Sequence, residues 1–183
     1  MKTKIANLFF FSAMTVFLFA CGGGSENENK ENNEEQSAVN PSSEESGMDA
    51  DAIDPDAPVF EVEISANGNT MAEIFYNKKE ITVPAGCTVK VKFKNNSTDA
   101  SMPHNLIFIE RGSAQKVADE GMKMGQARNF RPVMDEVIAG SDLLPPGGEQ
   151  EFSFKAPAPG EYQFICTYPG HLKAMNGVFL VEE

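Results

Sequence analysis

Two stretches of period-two alternation constrain this chain more than any other feature. Val59-Phe60-Glu61-Val62-Glu63-Ile64 alternates apolar with acidic side chains, and Thr88-Val89-Lys90-Val91-Lys92-Phe93-Lys94 alternates apolar with basic ones. Successive side chains of an extended chain point to opposite faces, so each stretch buries one face and solvates the other, as a half-buried strand does. Further strand segments are Ala72 to Tyr76, Glu80 to Val83, Asn105 to Glu110, Glu149 to Phe154, Gly160 to Cys166 and Gly177 to Glu182. Turn clusters separate them: Asn67-Gly68-Asn69, Pro84-Ala85-Gly86, Pro145-Pro146-Gly147-Gly148 and Pro157-Ala158-Pro159-Gly160. About eight short strands so punctuated predict an all-β sandwich or barrel, not βαβ units. One segment breaks the rhythm. Ser113 as N-cap, small or apolar residues at Ala114, Val117, Ala118, Gly121 and Met122, and Gly125 at the end predict a short helix between strands.

The sandwich occupies residues 58–183, and what precedes it has a different composition. Lys2 and Lys4 lead into an apolar run from Ile5 to Ala20, shorter than the roughly 18 residues a membrane span needs, which is the form of a secretory leader over residues 1–20. The run ends in Leu18-Phe19-Ala20-Cys21-Gly22, which resembles the bacterial lipoprotein lipobox, with Phe19 a departure where a small residue is usual. The resemblance implies cleavage before Cys21 and lipidation of Cys21 with several acyl chains (palmitate among them), hence an exported protein anchored to a bacterial membrane and facing the periplasm or the cell exterior. Residues 22–57 carry eleven acidic side chains against the single Lys30, with no aromatic residue. Such a segment cannot bury enough apolar area to offset the entropy of ordering, so residues 21–57 read as a lipidated cysteine and a solvated acidic tether. The net charge of -12 provides no basic stripe and excludes nucleic acid as a partner.

Cys166-Thr167-Tyr168-Pro169-Gly170-His171-Leu172-Lys173-Ala174-Met175 places a thiolate, an imidazole and a thioether on one loop between two strand segments. The chain has two histidines, and the other, His104, opens a strand segment in Ser101-Met102-Pro103-His104-Asn105. Thiolate and thioether favour Cu(I), imidazole accepts either oxidation state, and a trigonal His2Cys set with a weak axial Met is a blue-copper arrangement. The expected metal ligands are therefore His104, Cys166, His171 and Met175, and the expected cofactor is one copper ion.

These motifs resemble the cupredoxins, closest to azurin and the auracyanin-like proteins, over the whole of residues 58–183. The Cys-Thr-aromatic-Pro-Gly-His-x-x-x-Met-x-Gly spacing of Cys166 to Gly177 is azurin's, Met102-x-His104-Asn105 is similar to its upstream ligand segment, and Ile81-Thr82-Val83 followed by Cys87 is similar to its preceding strand. The resemblance implies a Greek-key β-sandwich in which the helical excursion forms a flap. It implies a type 1 copper electron-transfer protein, not an enzyme, that meets redox proteins such as cytochromes or copper and haem oxidoreductases only transiently. Pro103 stands where azurin has Gly. This favours four ligands over five, the fifth being a possible weak axial bond from the Pro103 carbonyl opposite Met175. Phe60 stands where azurin has the disulfide partner of the cysteine matching Cys87, which leaves Cys87 a buried free thiol or an intermolecular one. By resemblance Asn105 ties across to Thr167, a backbone N–H reaches the Cys166 sulfur, and Met102, Tyr168, Pro169, Leu172 and Ala174 surround an exposed edge of His171. Met102, Tyr168, Pro169 and Leu172 then make a small apolar docking patch. The competing expectation is a copper storage or delivery lipoprotein, suggested by Met122 and Met124 in the helix.

Overall fold

The computed structural model describes residues 53–183; the leader, Cys21 and nearly all of the acidic stretch lie outside the described residues. Nine strands form two sheets: β1 (Val59–Asn67), β2 (Phe75–Tyr76), β3 (Glu80–Pro84), β4 (Thr88–Asn95), β5 (Ile107–Glu110), β6 (Val137–Gly140), β7 (Glu149–Lys155), β8 (Gly160–Ile165) and β9 (Asn176–Glu182). The first sheet runs β2-β1-β4-β7 and the second β3-β9-β8-β5-β6. β1 pairs with β4 and β3 with β9 in parallel, while the other pairs are antiparallel. Parallel neighbours cannot be joined by a tight hairpin, and the chain accordingly crosses between sheets after β2, β3, β4, β6 and β7. This is the all-β sandwich with one helical excursion that the alternation predicts.

The two alternating stretches sit side by side, Glu61 opposite Lys90 and Glu63 opposite Lys92. Their apolar positions Val62, Ile64, Val89, Val91 and Phe93 are buried. Their charged positions face solvent, where Lys90 lies 3.5 Å from Glu61 and 3.6 Å from Glu151. Exposed pairs of this kind contribute little, about 0–1 kcal/mol each; the burial holds the sheet. Between the sheets Phe108 packs against Phe154 and Phe179, ring centroids 5.0 Å apart in both cases, and Tyr76 packs edge-on against Phe164 at 5.6 Å.

The second sheet is buried on its other face too. Helix α1 (Ala114–Met124) lays Val117 and Ala118 on Ile107, Ile109 and Ile165, which is why β5 reads apolar at Ile107, Phe108 and Ile109 without alternation. Ser113 precedes the helix, but its hydroxyl donates back to the Glu110 carbonyl at 2.6 Å and caps no helical N–H. Gly125 ends the helix at φ 67°. The expected strand from Ala72 shortens to Phe75–Tyr76 because Glu73 and Ile74 N–H groups turn back to the Thr70 carbonyl. Strand β6 has no counterpart among the sequence expectations.

Gly177 shows how closely this core is packed. A Cβ there would lie 2.1 Å from Cζ of the Phe164 ring, so the ring must move or the strands must part. Gly177→Ala is expected to cost about 1–3 kcal/mol, the usual penalty of overpacking, read as a lower urea midpoint with unchanged slope.

Candidate metal centre

His104 lies three residues before the start of β5 and is fixed by backbone bonds, not by strand pairing. Its N–H donates to the Leu144 carbonyl at 3.1 Å, and the Leu144 N–H returns the bond at 2.8 Å. Asn95 pins both sides of this bridge, donating to the carbonyls of Met102 at 2.9 Å and Leu144 at 3.1 Å. Leu106 N–H then reaches the Ser141 hydroxyl at 2.9 Å. The sequence expectation of a strand from Asn105 is thus corrected to one from Ile107.

The loop carrying the other donors leaves β8 and enters β9, whose end residues Ile165 and Asn176 are paired. Cys166 N–H donates to the Met175 carbonyl at 3.0 Å and closes the loop at its neck. Within it the His171 N–H reaches the Tyr168 carbonyl at 3.0 Å and the Met175 N–H the His171 carbonyl at 2.9 Å, around Gly170 at φ 84°. Lys79 donates to the Ala174 carbonyl at 3.2 Å from outside.

Together these restraints bring His104, Cys166 and His171 into one cluster whose potential ligand atoms all lie within 4.8 Å of one another. The two Nδ1 atoms face each other at 3.1 Å, and the Cys166 sulfur lies 3.7 Å from His171 Nδ1. These residues and Met175 are fully buried. With metal–nitrogen bonds of about 2.0 Å and metal–sulfur bonds of about 2.3 Å, a trigonal plane separates its nitrogens by about 3.5 Å and nitrogen from sulfur by about 3.7 Å. The donor set therefore fits a metal ion of that size. Among the described residues the buried side-chain polar atoms without a hydrogen-bond partner are His104 Nε2 and His171 Nε2, so neither ring is held chiefly as a structural hydrogen-bonding group.

The electrostatics agree. Burial, reinforced for His104 by the neighbouring His171, pushes both imidazoles down to about 4, leaving them neutral at physiological pH. Burial pushes the Cys166 thiol up to about 11 against the opposing pull of the Asn105 and Tyr168 backbone N–H groups and the Tyr76 hydroxyl. A metal cation reverses that balance by binding the thiolate.

Asn105 and Thr167 exchange two bonds, Nδ2 to the Thr167 hydroxyl at 2.7 Å and Thr167 N–H to Oδ1 at 2.9 Å. The Tyr76 hydroxyl donates to the Asn105 carbonyl at 2.5 Å. Sequence reasoning missed Tyr76, because an isolated tyrosine in a two-residue strand carries no signal. It missed Asn129 and Phe130 as well, whose carbonyls accept from Asn105 and Thr167. Of the residues expected around an exposed His171 edge, Pro169 is exposed and Tyr168, Leu172 and Ala174 are half-buried, but Met102 belongs to the core. His171 has no exposed edge. The Tyr168 ring packs against it with centroids 4.7 Å apart. Pro103 is half-buried beside His104, and Cys87 is a buried free thiol whose pKa burial raises.

A two-sheet sandwich that buries two imidazoles and a thiol at this spacing, on a Cys-x4-His-x3-Met loop, defines a cupredoxin. The sequence profile of "Copper binding proteins, plastocyanin/azurin family" matches residues 60–182, and the chain belongs to that family; its cofactor is copper. It is 40% identical over 123 residues to Auracyanin-A of Chloroflexus aurantiacus, covering 66% of this chain and 73% of that protein. The crystal structure of dithionite-reduced auracyanin from Roseiflexus castenholzii superposes with a TM-score of 0.61 at 41% identity, over 67% of this chain and 97% of that one. Outer membrane protein H.8 of Neisseria meningitidis serogroup B is 33% identical over 109 residues, 56% of this chain and 58% of that protein.

The buried imidazoles make the metal-free fold sensitive to acid. The unfolded chain protonates them near pH 6.5 and the folded chain only near pH 4, so between these values the unfolded state binds more protons. Stability of the metal-free protein is expected to fall as pH drops through that window and to level off above it. Urea midpoints measured from about pH 7 downward check this, and a flat profile would contradict neutral buried histidines.

Proposed function

We propose that this chain is a lipid-anchored, exported type 1 copper protein that carries one electron at a time between redox proteins at a bacterial membrane. The observation that carries the reading is the convergence of His104, Cys166 and His171 within 4.8 Å in the closed core. In this reading these three and Met175 would hold the copper, and the Pro103 carbonyl would at most add a fifth, weaker donor. Bound copper supplies the one-electron Cu(II)/Cu(I) couple. The protein's task is to hold one donor geometry while the charge changes. The closed neck at Cys166 and Met175, the His104–Leu144 bridge and the Asn105–Thr167 pair are the restraints suited to that task. Four protein donors leave no open position for a substrate, which favours a carrier over an enzyme.

Tyr168 packs on His171, and with Pro169 and Leu172 of the same loop it is the proposed docking rim; Met102, buried in the core, takes no part in it. A rim this small suits brief encounters with cytochromes or copper and haem oxidoreductases, whose interfaces are at the low end of size. Cys21 is the proposed lipidation site, supported by its lipobox-like context and by the similarity to a protein named for the outer membrane. The acidic residues that follow then act as a leash between the bilayer and the sandwich.

The visible spectrum of the oxidised, copper-loaded full chain tests the reading. One copper per chain with an intense thiolate-to-copper charge-transfer band is expected, and Cys166→Ser is expected to abolish the band. Several weakly held, colourless Cu(I) ions would instead indicate storage or delivery. For the anchor, Cys21→Ser is expected to move the protein from the membrane fraction to the soluble fraction and to remove acyl mass from its N-terminus. Unchanged membrane retention after a high-salt wash would exclude lipidation at Cys21.

A further inference from the structure

The turn after α1, a 3-10 turn over Gln126–Arg128, leads into two consecutive non-glycine residues in the left-handed region, Asn129 at φ 56° and Phe130 at φ 51°. Asparagine visits this region readily, but phenylalanine there is an outlier that persists only where its surroundings over-determine it. Those surroundings are the metal centre. The Asn129 carbonyl accepts from Asn105 Nδ2 at 2.9 Å, and the Phe130 carbonyl accepts from the Thr167 hydroxyl at 2.6 Å. The Asn129 side chain is itself held, donating to Asp142 at 3.0 Å. The Phe130 ring meets Tyr168 edge-on, centroids 5.2 Å apart, and Tyr168 packs on His171. Gly121 on α1 faces the same carbonyl: a Cβ there would lie 2.6 Å from Phe130 O and 3.1 Å from Thr167 Cβ. A two-residue turn thus reaches Asn105, Thr167 and Tyr168, which adjoin His104 and Cys166 or roof His171.

We propose that Asn129 and Phe130 are positioning residues for the copper centre, a brace through which the helix holds the two ligand-bearing segments at fixed separation by two left-handed carbonyls and one aromatic ring. The inference rests on the reading of His104, Cys166 and His171 as copper ligands. Neither residue touches the donor atoms; both act through Asn105, Thr167 and Tyr168. The strain at Phe130 is retained because a relaxed backbone would turn its carbonyl from Thr167. Gly121 is retained because any side chain would push that carbonyl away.

Two variants separate the parts of the brace. Gly121→Ala displaces the Phe130 carbonyl while favouring the helix, and Phe130→Gly removes the ring and the strain while permitting the left-handed turn. In the full chain both are expected to keep the wild-type circular dichroism but to shift the thiolate-to-copper band and the reduction potential. Both are expected to speed copper release to a Cu(I) chelator about tenfold, in Gly121→Ala the effect of losing roughly one buried hydrogen bond and in Phe130→Gly that of losing the ring contact with Tyr168. Phe130→Tyr is expected to restore wild-type release. In metal-free protein, amide exchange at Thr167 is expected to quicken in Gly121→Ala, a readout independent of copper. Should Gly121→Ala fail to fold, Phe130→Gly carries the test alone. Wild-type band, potential, release and Thr167 exchange in the variants would overturn the brace and leave the carrier reading intact. Absence of a blue band in wild type would overturn the carrier reading, with Thr167 exchange still deciding the brace.

Discussion

The centre depends on the pair of hydrogen bonds between Asn105 and Thr167, residues 62 apart in the chain. The donor atoms cannot hold themselves together. Two neutral imidazoles with Nδ1 atoms 3.1 Å apart and a thiol at 3.7 Å share at most one proton at each contact, and desolvating them is costly. Asn105 immediately follows His104 and Thr167 immediately follows Cys166, so fixing one pair fixes the other. The amide uses both ends: its oxygen accepts from the Thr167 N–H, and its nitrogen donates to the Thr167 hydroxyl and the Asn129 carbonyl. Tyr76 then clamps the Asn105 carbonyl from the first sheet. Each partner in so fully satisfied a buried network is expensive to remove, about 1–3 kcal/mol for an orphaned group.

Burial gives the same cluster its chemical bias. A dry core disfavours charge, which keeps both histidines neutral and keeps the thiol protonated until a cation replaces its proton. The Asn105 and Tyr168 N–H groups work in the opposite direction, favouring sulfur that carries negative charge. The pocket is therefore balanced for a thiolate that is formed and neutralised in one event.

How much of this was legible in the sequence follows from how local each signal is. The alternations at Val59 to Ile64 and Thr88 to Lys94 report burial of one face directly, and those strands stand as expected. So does the clustering of His104, Cys166 and His171, because the choice of donor elements narrows the chemistry before any geometry is known. β6 escaped notice because Val137-Ile138-Ala139-Gly140 is short, does not alternate, and pairs with β5 through a shift between Phe108 and Ile109. Ser113 sits where a cap belongs, but its hydroxyl finds a closer partner upstream. Met102 read as surface in a polar-flanked loop, whereas Asn95 draws its carbonyl inward. Tyr76 and Phe130 were illegible for a deeper reason: their roles exist only relative to Asn105 and Thr167, through contacts 29 and 37 residues away.

The metal geometry is in this sense a readout of strand register. Cys166 follows the last residue of β8 and Met175 precedes the first of β9, and the pair Ile165 and Asn176 determines how those two side chains stand to each other. A slip of one residue would turn every side chain on one strand to the opposite face, carrying Cys166 out of the core or Met175 away from it. Gly177 guards against this, because only a residue without a Cβ lets the Phe164 ring lie across β9 at that position. His104 is set independently, by the bridge to Leu144 and by Ser141 beyond it. The sandwich is accordingly more than a support for a loop: the hydrogen bonds that make it a sandwich also determine where a thiolate, two imidazoles and a thioether come to rest.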